Sequence, residues 1–154
     1  TMKLLDNSCT IDKYAFSDTL YDIMKCVQEK CNMTYHKDRN FLQSVGDWGR
    51  NRDENFWVNI TLEKIKNSDK DHILISDIRY PNEICALKNM GFVCIKVGRN
   101  NTETESILCM GNQYHNSETS LNNIRDNDWD YIIDNNGTLE ELYNKLDEIM
   151  RKYT

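Results

Sequence analysis

The chain has 154 residues and a mass of 18.2 kDa, with 39% hydrophobic and 29% charged residues, which suits one packed core and excludes wholesale disorder. Its formal net charge of −6 and pI near 5.1 exclude the basic footprint that non-specific binding to nucleic-acid backbones requires. No apolar run approaches the ~18–20 residues of a membrane span and no signal-peptide pattern opens the chain, so the expectation is one cytoplasmic domain over residues 1–154.

The element order predicts an α/β fold. A first strand fits Ile11–Phe16. Ser17 has the chemistry of an N-cap and Asp18 stands in the first turn of a helix running to about Lys30, with Leu20, Ile23, Met24 and Val27 at helical spacing. A second helix fits Asp38–Val45, ended by Gly46, because glycine accepts the left-handed conformation just past a helix. Asp53 can cap a third helix carrying Phe56, Trp57, Ile60, Leu62 and Ile65. Ile73–Ser76 is a short apolar run that reads as a buried parallel strand. Asn82–Met90 is the next helix, closed by Gly91, and Phe92–Val97 the next strand. Residues 100–127 are polar and lid-like. Tyr131–Asp134 gives the last strand, Asn136–Gly137 a turn, and Thr138 with Glu141 a capping box opening a helix to about Arg151.

Strands alternating with helices imply βαβ units and a mainly parallel sheet, whose ligands bind beyond the carboxyl ends of the strands. Asp77 and Arg79 sit at such an end, in His72–Glu83. A carboxylate there can orient Mg²⁺ or its waters beside phosphates, and a guanidinium can fork onto a phosphate. The equal alternative is an Asp–Arg turn with a local salt bridge and Pro81 starting a helix. Trp48, between Gly46 and Gly49 and beside Asp47 and Arg50, suits either a loop presenting a ring to a planar phosphorylated ligand or a surface loop packed on a helix. His115 fits a general acid or base, or a merely solvated loop histidine. The six cysteines show no disulfide framework. Cys85 and Cys94 read as small core residues in a reducing compartment, and the spacing of Cys26, Cys31 and His36 matches no common zinc module. Heavy use of Asn with Ile and Lys points to an AT-rich genome, viral or parasitic.

The ordered segments KYAFSDTL, LQSVGDWGR, LISDIRYPNE, HNSETSL and IIDNNGTLEEL resemble those of the deoxynucleoside monophosphate kinases of tailed phages and their relatives, within the P-loop kinases. The resemblance implies a three-layer parallel sheet flanked by helices and transfer of the ATP γ-phosphoryl group to a (deoxy)nucleoside monophosphate with Mg²⁺. It also predicts an N-terminal strand and a G-x-x-x-x-G-K-[ST] or -DT loop, neither of which the sequence contains. Thr1 precedes Phe16 by fifteen positions, about the distance from the loop's last residue to the next strand motif. The expectation is that the chain begins at that residue.

By the same resemblance, Thr1 and Asp77 would stand beside Mg²⁺. Asp77 and Arg79 would serve catalysis. Asp18, Trp48, Arg50 and Glu83 would line the acceptor site. Arg99 and Arg125 would approach phosphates, and Asn135 and Gly137 would lie near the donor's adenine. Thr19-Leu20-Tyr21 and Gly46-Asp47 depart from the family's Pro-Leu-Lys and Gly-Thr, which leaves the acceptor open. Two other readings stand beside the kinase: an inactive kinase-like binding or structural module in a larger, viral assembly, and a kinase of the phosphomevalonate or dephospho-coenzyme A type. A homodimer is left open.

Overall fold

The short apolar runs form strands and the amphipathic stretches between them form helices, in a computed structural model that describes residues 10–99 and 120–153. Of the described residues, 10–86 make one compact unit, and 87–99 with 120–153 make another.

The first unit opens with β1 (Ile11–Tyr14), continues through α1 (Asp18–Lys30), α2 (Arg39–Arg50) and α3 (Phe56–Lys66), and returns in β2 (His72–Ile75) before α4 (Pro81–Asn89) begins. β1 and β2 pair in parallel, from Ile11 opposite His72 to Tyr14 opposite Ile75. Asp71 closes the amino end of this ladder, its Oδ2 accepting from both the backbone N and Oγ1 of Thr10 at 2.9 Å. These bonds hold the Asp71 carboxyl below the usual carboxylate range. Phe16, Leu20, Met24, Trp57, Val58, Ile65 and Ile84 are buried. β2 is parallel as expected but less enclosed, with Leu74 46% exposed.

The local signals needed correction at several points. β1 stops at Tyr14, not Phe16, because the Phe16 and Ser17 amides leave the ladder for the Asp77 carboxylate. Ser17 precedes α1 but does not cap it, since its hydroxyl is also committed to Asp77. α1 ends with Asn32 at φ 53° and a Met33 N–H to Gln28 carbonyl bond of 2.8 Å, a left-handed stop made with asparagine. Gln28 is buried, and its amide pairs with both the N and the O of His36 at 3.1 and 2.9 Å, fixing the segment that leads to α2.

Gly46 does not end α2. The helix runs on to Arg50 and places Gly46, Trp48 and Gly49 on a helix, not in a loop. Both glycines are buried there because Trp57 packs against them. The indole N–H of Trp57 donates to the Gly46 carbonyl at 2.8 Å, and a Cβ on Gly49 would stand 2.6 Å from the indole. Asp38, already expected in this helix, caps it by accepting from the Phe41 N–H. α3 starts at Phe56, later than an Asp53 cap implies; the Asp53 carboxylate accepts from the Asn55 N–H and organises the preceding turn.

In the second unit, Gly91 (φ 84°) ends α4 with the Phe92 N–H bonded to the Leu87 carbonyl, the left-handed stop its sequence implied. β3 (Ile95–Gly98) begins three residues later than the apolar run did, because the Cys94 N–H is taken by Asp130 Oδ2 at 2.8 Å. β3 pairs in parallel with β4 (Tyr131–Asp134), Ile95 opposite Tyr131. Two short 3₁₀ turns, Ser120–Asn123 and Asp126–Asp128, precede β4. The last helix, α5 (Leu139–Met150), carries the Thr138–Glu141 capping box, with both of its reciprocal bonds formed. Cys94 is buried and burial pushes its thiol up, whereas Cys85 is exposed and not a core residue. Among the described residues no helix is long and apolar enough to cross a membrane. The described strands form two parallel pairs, and a continuous three-layer sheet is not shown.

Candidate functional site

The carboxyl end of the β1–β2 ladder gathers most of the acceptor-side residues expected from the sequence. Three carboxylates there bind backbone amides of the turns that follow the strands. Asp18 Oδ2 accepts from the Ala15 N–H at 2.8 Å. Asp77 Oδ1 accepts from the Phe16 N–H at 2.8 Å, and its Oδ2 from the N–H and the hydroxyl of Ser17 at 3.0 and 2.6 Å. Glu83, in the first turn of α4, uses Oε2 to accept from the Arg79 and Tyr80 N–H groups at 2.6 and 3.0 Å. The backbone around Asp77–Tyr80 is thus pinned at both ends by charge-assisted bonds.

Glu83 is 6% exposed, and burial, with some help from the nearby Asp77 charge, pushes its carboxyl up to about 7. Its two amide donors and the Arg50 charge pull the other way.

Arg50 is half-buried on α2. Its guanidinium lies 4.5 Å from the centre of the Tyr80 ring, and Nη2 donates to Asp47 Oδ1 at 2.9 Å. Gly46 leaves the space that the guanidinium occupies, since a Cβ there would stand 2.7 Å from Nη2. Trp48 is on the same helix, 48% exposed, edge-on to Phe56 at 5.6 Å and covered by the Arg52 guanidinium at 3.9 Å. Arg79 is exposed. Sequence reasoning pointed to the segments just past the strands, but it gave the Ser17 hydroxyl the part of a helix cap and the Tyr80 ring no part at all. The adjacency of Tyr80 to Arg79 carries no local signal for stacking on a helix thirty residues upstream.

In the second unit the carboxyl end of the β3–β4 ladder carries Arg99, exposed just past β3, and Asn135, whose N–H donates to the Gly98 carbonyl at 2.7 Å. A Cβ on Gly137 would meet the Glu141 carboxylate, which folds over it to reach the Thr138 N–H. Arg125 is exposed, its Nε 3.7 Å from Asp128 Oδ2. Thr1 and His115 lie outside the described residues, as does most of the lid-like segment.

Mg²⁺, implied by the resemblance, prefers octahedral oxygen ligands and usually takes one or two carboxylates with phosphates and water. A carboxylate offers about four lone-pair positions, and three protein donors already occupy the Asp77 carboxylate. Among the described residues no group of three or more His, Cys, Asp or Glu converges on a metal position. In this arrangement the Asp77 carboxylate serves the Phe16 and Ser17 donors first and keeps about one lone-pair position for anything else.

The deoxynucleotide monophosphate kinase family model matches residues 2–146. The chain belongs to that family. It is 39% identical over 93 residues to the uncharacterized protein ORF77 of Ictalurid herpesvirus 1 (strain Auburn), covering 58% of this chain and 39% of that protein. It is 30% identical over 102 residues to the deoxynucleotide monophosphate kinase of Escherichia phage RB69, covering 64% of this chain and 38% of that enzyme. The chain therefore spans about two fifths of the length of these curated relatives.

Proposed function

We propose that the protein containing this chain transfers the γ-phosphoryl group of ATP to a deoxynucleoside monophosphate, and that residues 10–86 supply the acceptor side. The observation that carries this reading is the Arg50 guanidinium, held over Tyr80 beside the amide-bound loop of Asp77–Glu83. An arginine packed on an aromatic ring loses little freedom when it forks onto a phosphate. Arg79, exposed on the same loop, is a second cation for the charge that spreads over the transferred group.

In this reaction an oxygen of the acceptor phosphate attacks the γ-phosphorus, and the bond from that phosphorus to the β–γ bridging oxygen breaks. The acceptor phosphate is already anionic, so the protein's task is alignment and charge neutralisation, with no covalent intermediate. Arg50 and Arg79 would orient and neutralise the acceptor phosphate. Trp48 and Asp18 would bound the base and sugar. Arg99 keeps the substrate-binding role, near the phosphates, that the family resemblance implies, and Arg125, Asn135 and Gly137 keep their donor-side roles. Mg²⁺ would be held chiefly by the phosphates of ATP and by water.

The test is a coupled phosphotransfer assay on the full-length protein with ATP, Mg²⁺ and each deoxynucleoside monophosphate. Turnover of at least one acceptor is expected. Arg50→Ala and Arg79→Ala should each reduce kcat/KM by about a hundredfold or more, the scale of losing a charged hydrogen-bonded partner. Near-normal rates in both variants would remove this assignment. Calorimetry that finds no binding of ATP or of any monophosphate would favour the inactive-module reading instead.

A further inference from the structure

The resemblance puts Asp77 beside a metal ion, but the carboxylate is spent on the opposite neighbour. Both of its oxygens face the β1–α1 turn, and its three hydrogen bonds among the described residues, at 2.8, 3.0 and 2.6 Å, come from Phe16 and Ser17, about sixty residues away in sequence. These two residues stand just where β1 has ended and α1 has not begun, so their amides have no ladder partner. Ser17 could have turned its hydroxyl to the helix amides, as serines at this position commonly do; it donates to Asp77 instead. The turn so fixed carries Asp18, whose own carboxylate folds back on the Ala15 N–H at 2.8 Å. It also carries Thr19, whose hydroxyl receives the Lys64 ammonium of α3 at 3.0 Å. A rigid relay therefore runs from the end of β2 to the first turn of α1.

We propose that Asp77 is a positioning residue for the acceptor and not a ligand of the metal: through Phe16 and Ser17 it locks the β1–α1 turn and sets where Asp18 stands. The proposal rests on the kinase reading for the role of Asp18, and on geometry alone for the clamp. A metal ligand and a clamp differ in what its removal moves. Loss of a ligand raises the Mg²⁺ concentration needed for half-maximal rate. Loss of the clamp frees the Phe16 and Ser17 amides and displaces Asp18, which raises the acceptor KM.

The experiment compares the full-length protein with Asp77→Asn, Ser17→Ala and the double variant. It measures amide hydrogen exchange at Phe16 and Ser17, acceptor KM and kcat, and half-saturation by Mg²⁺ at fixed ATP. For Asp77→Asn the exchange of both amides should quicken by about tenfold or more, the scale of a charge-assisted bond. Acceptor KM should rise by a similar factor while Mg²⁺ half-saturation stays within about twofold. Ser17→Ala should reproduce part of the KM rise, and the double variant should be no worse than Asp77→Asn, as expected of residues acting as one unit. A merely structural defect would lower the active fraction and hence kcat, leaving KM unmoved.

A large rise in Mg²⁺ half-saturation with unchanged exchange at Phe16 and Ser17 would overturn the proposal. Should Asp77→Asn fail to fold, Ser17→Ala decides by the same readouts: unchanged exchange and KM reject the clamp. If the wild-type protein transfers no phosphate, the kinase reading fails on its own, and the exchange measurements still decide the clamp.

Discussion

Two glycines on α2 distinguish packing from function at the scale of single residues. A Cβ on Gly49 would meet the buried Trp57 indole at 2.6 Å, against a ring that has nowhere to move. Gly49→Ala should therefore destabilise the protein by about 1–3 kcal/mol, the usual cost of overpacking, and chemical denaturation would measure it. A Cβ on Gly46 meets instead the mobile end of Arg50, at 2.7 Å from Nη2. Gly46→Ala should leave stability within about 1 kcal/mol, because alanine favours the helix and the guanidinium can swing away. The displaced guanidinium leaves the Tyr80 ring, so steady-state kinetics should show a higher acceptor KM for Gly46→Ala. Equal stability losses in the two variants would contradict this division.

Elements whose signals are local were legible in the sequence. Thr138 and Glu141 declare the start of α5 three residues apart, and both bonds of the box are formed. Replacing Thr138 with Ala leaves the Glu141 N–H without its cap and should cost about 1 kcal/mol, seen as a lower urea midpoint at unchanged slope. Gly91 likewise ended α4 where its left-handed geometry required. Gly46 misled for the converse reason. The same residue type stops a helix when its backbone turns and continues one when a neighbour must approach closely, and Trp57 lies eleven residues downstream. Ser17 misled in the same way, since the competitor for its hydroxyl is Asp77, sixty residues on. The candidate site was legible as a set of residue types at strand ends. Its hydrogen bonding was not, because the carboxylates serve backbone amides that the sequence does not mark as orphaned.

At the scale of the molecule, the carboxylates divide by the sign of their effect on stability. Asp71 and Asp130 accept amide bonds across their ladders, and those bonds lower both carboxyls from 3.8. Their contribution is present above that value and is lost as pH falls through the folded one. Glu83 works oppositely. Its carboxyl rises from 4.5 to about 7, so its contribution is complete below 4.5 and is lost as pH rises through about 7. A rise of that size corresponds to about 3 kcal/mol. A net charge of −6 at neutral pH adds self-repulsion in the same direction. Thermal stability should therefore peak on the acid side of neutrality, between about pH 4.5 and 6, and decline toward pH 8. Glu83→Gln isolates the buried carboxyl, because a glutamine Oε1 can accept both the Arg79 and Tyr80 amides without carrying charge. The variant should match the wild type near pH 5 and exceed it by about 1–3 kcal/mol at pH 8 in urea unfolding, the upper end being the full burial penalty. Parallel pH profiles for the two proteins would mean that the Glu83 charge is paired or solvated, and would place the pH dependence in the net charge alone.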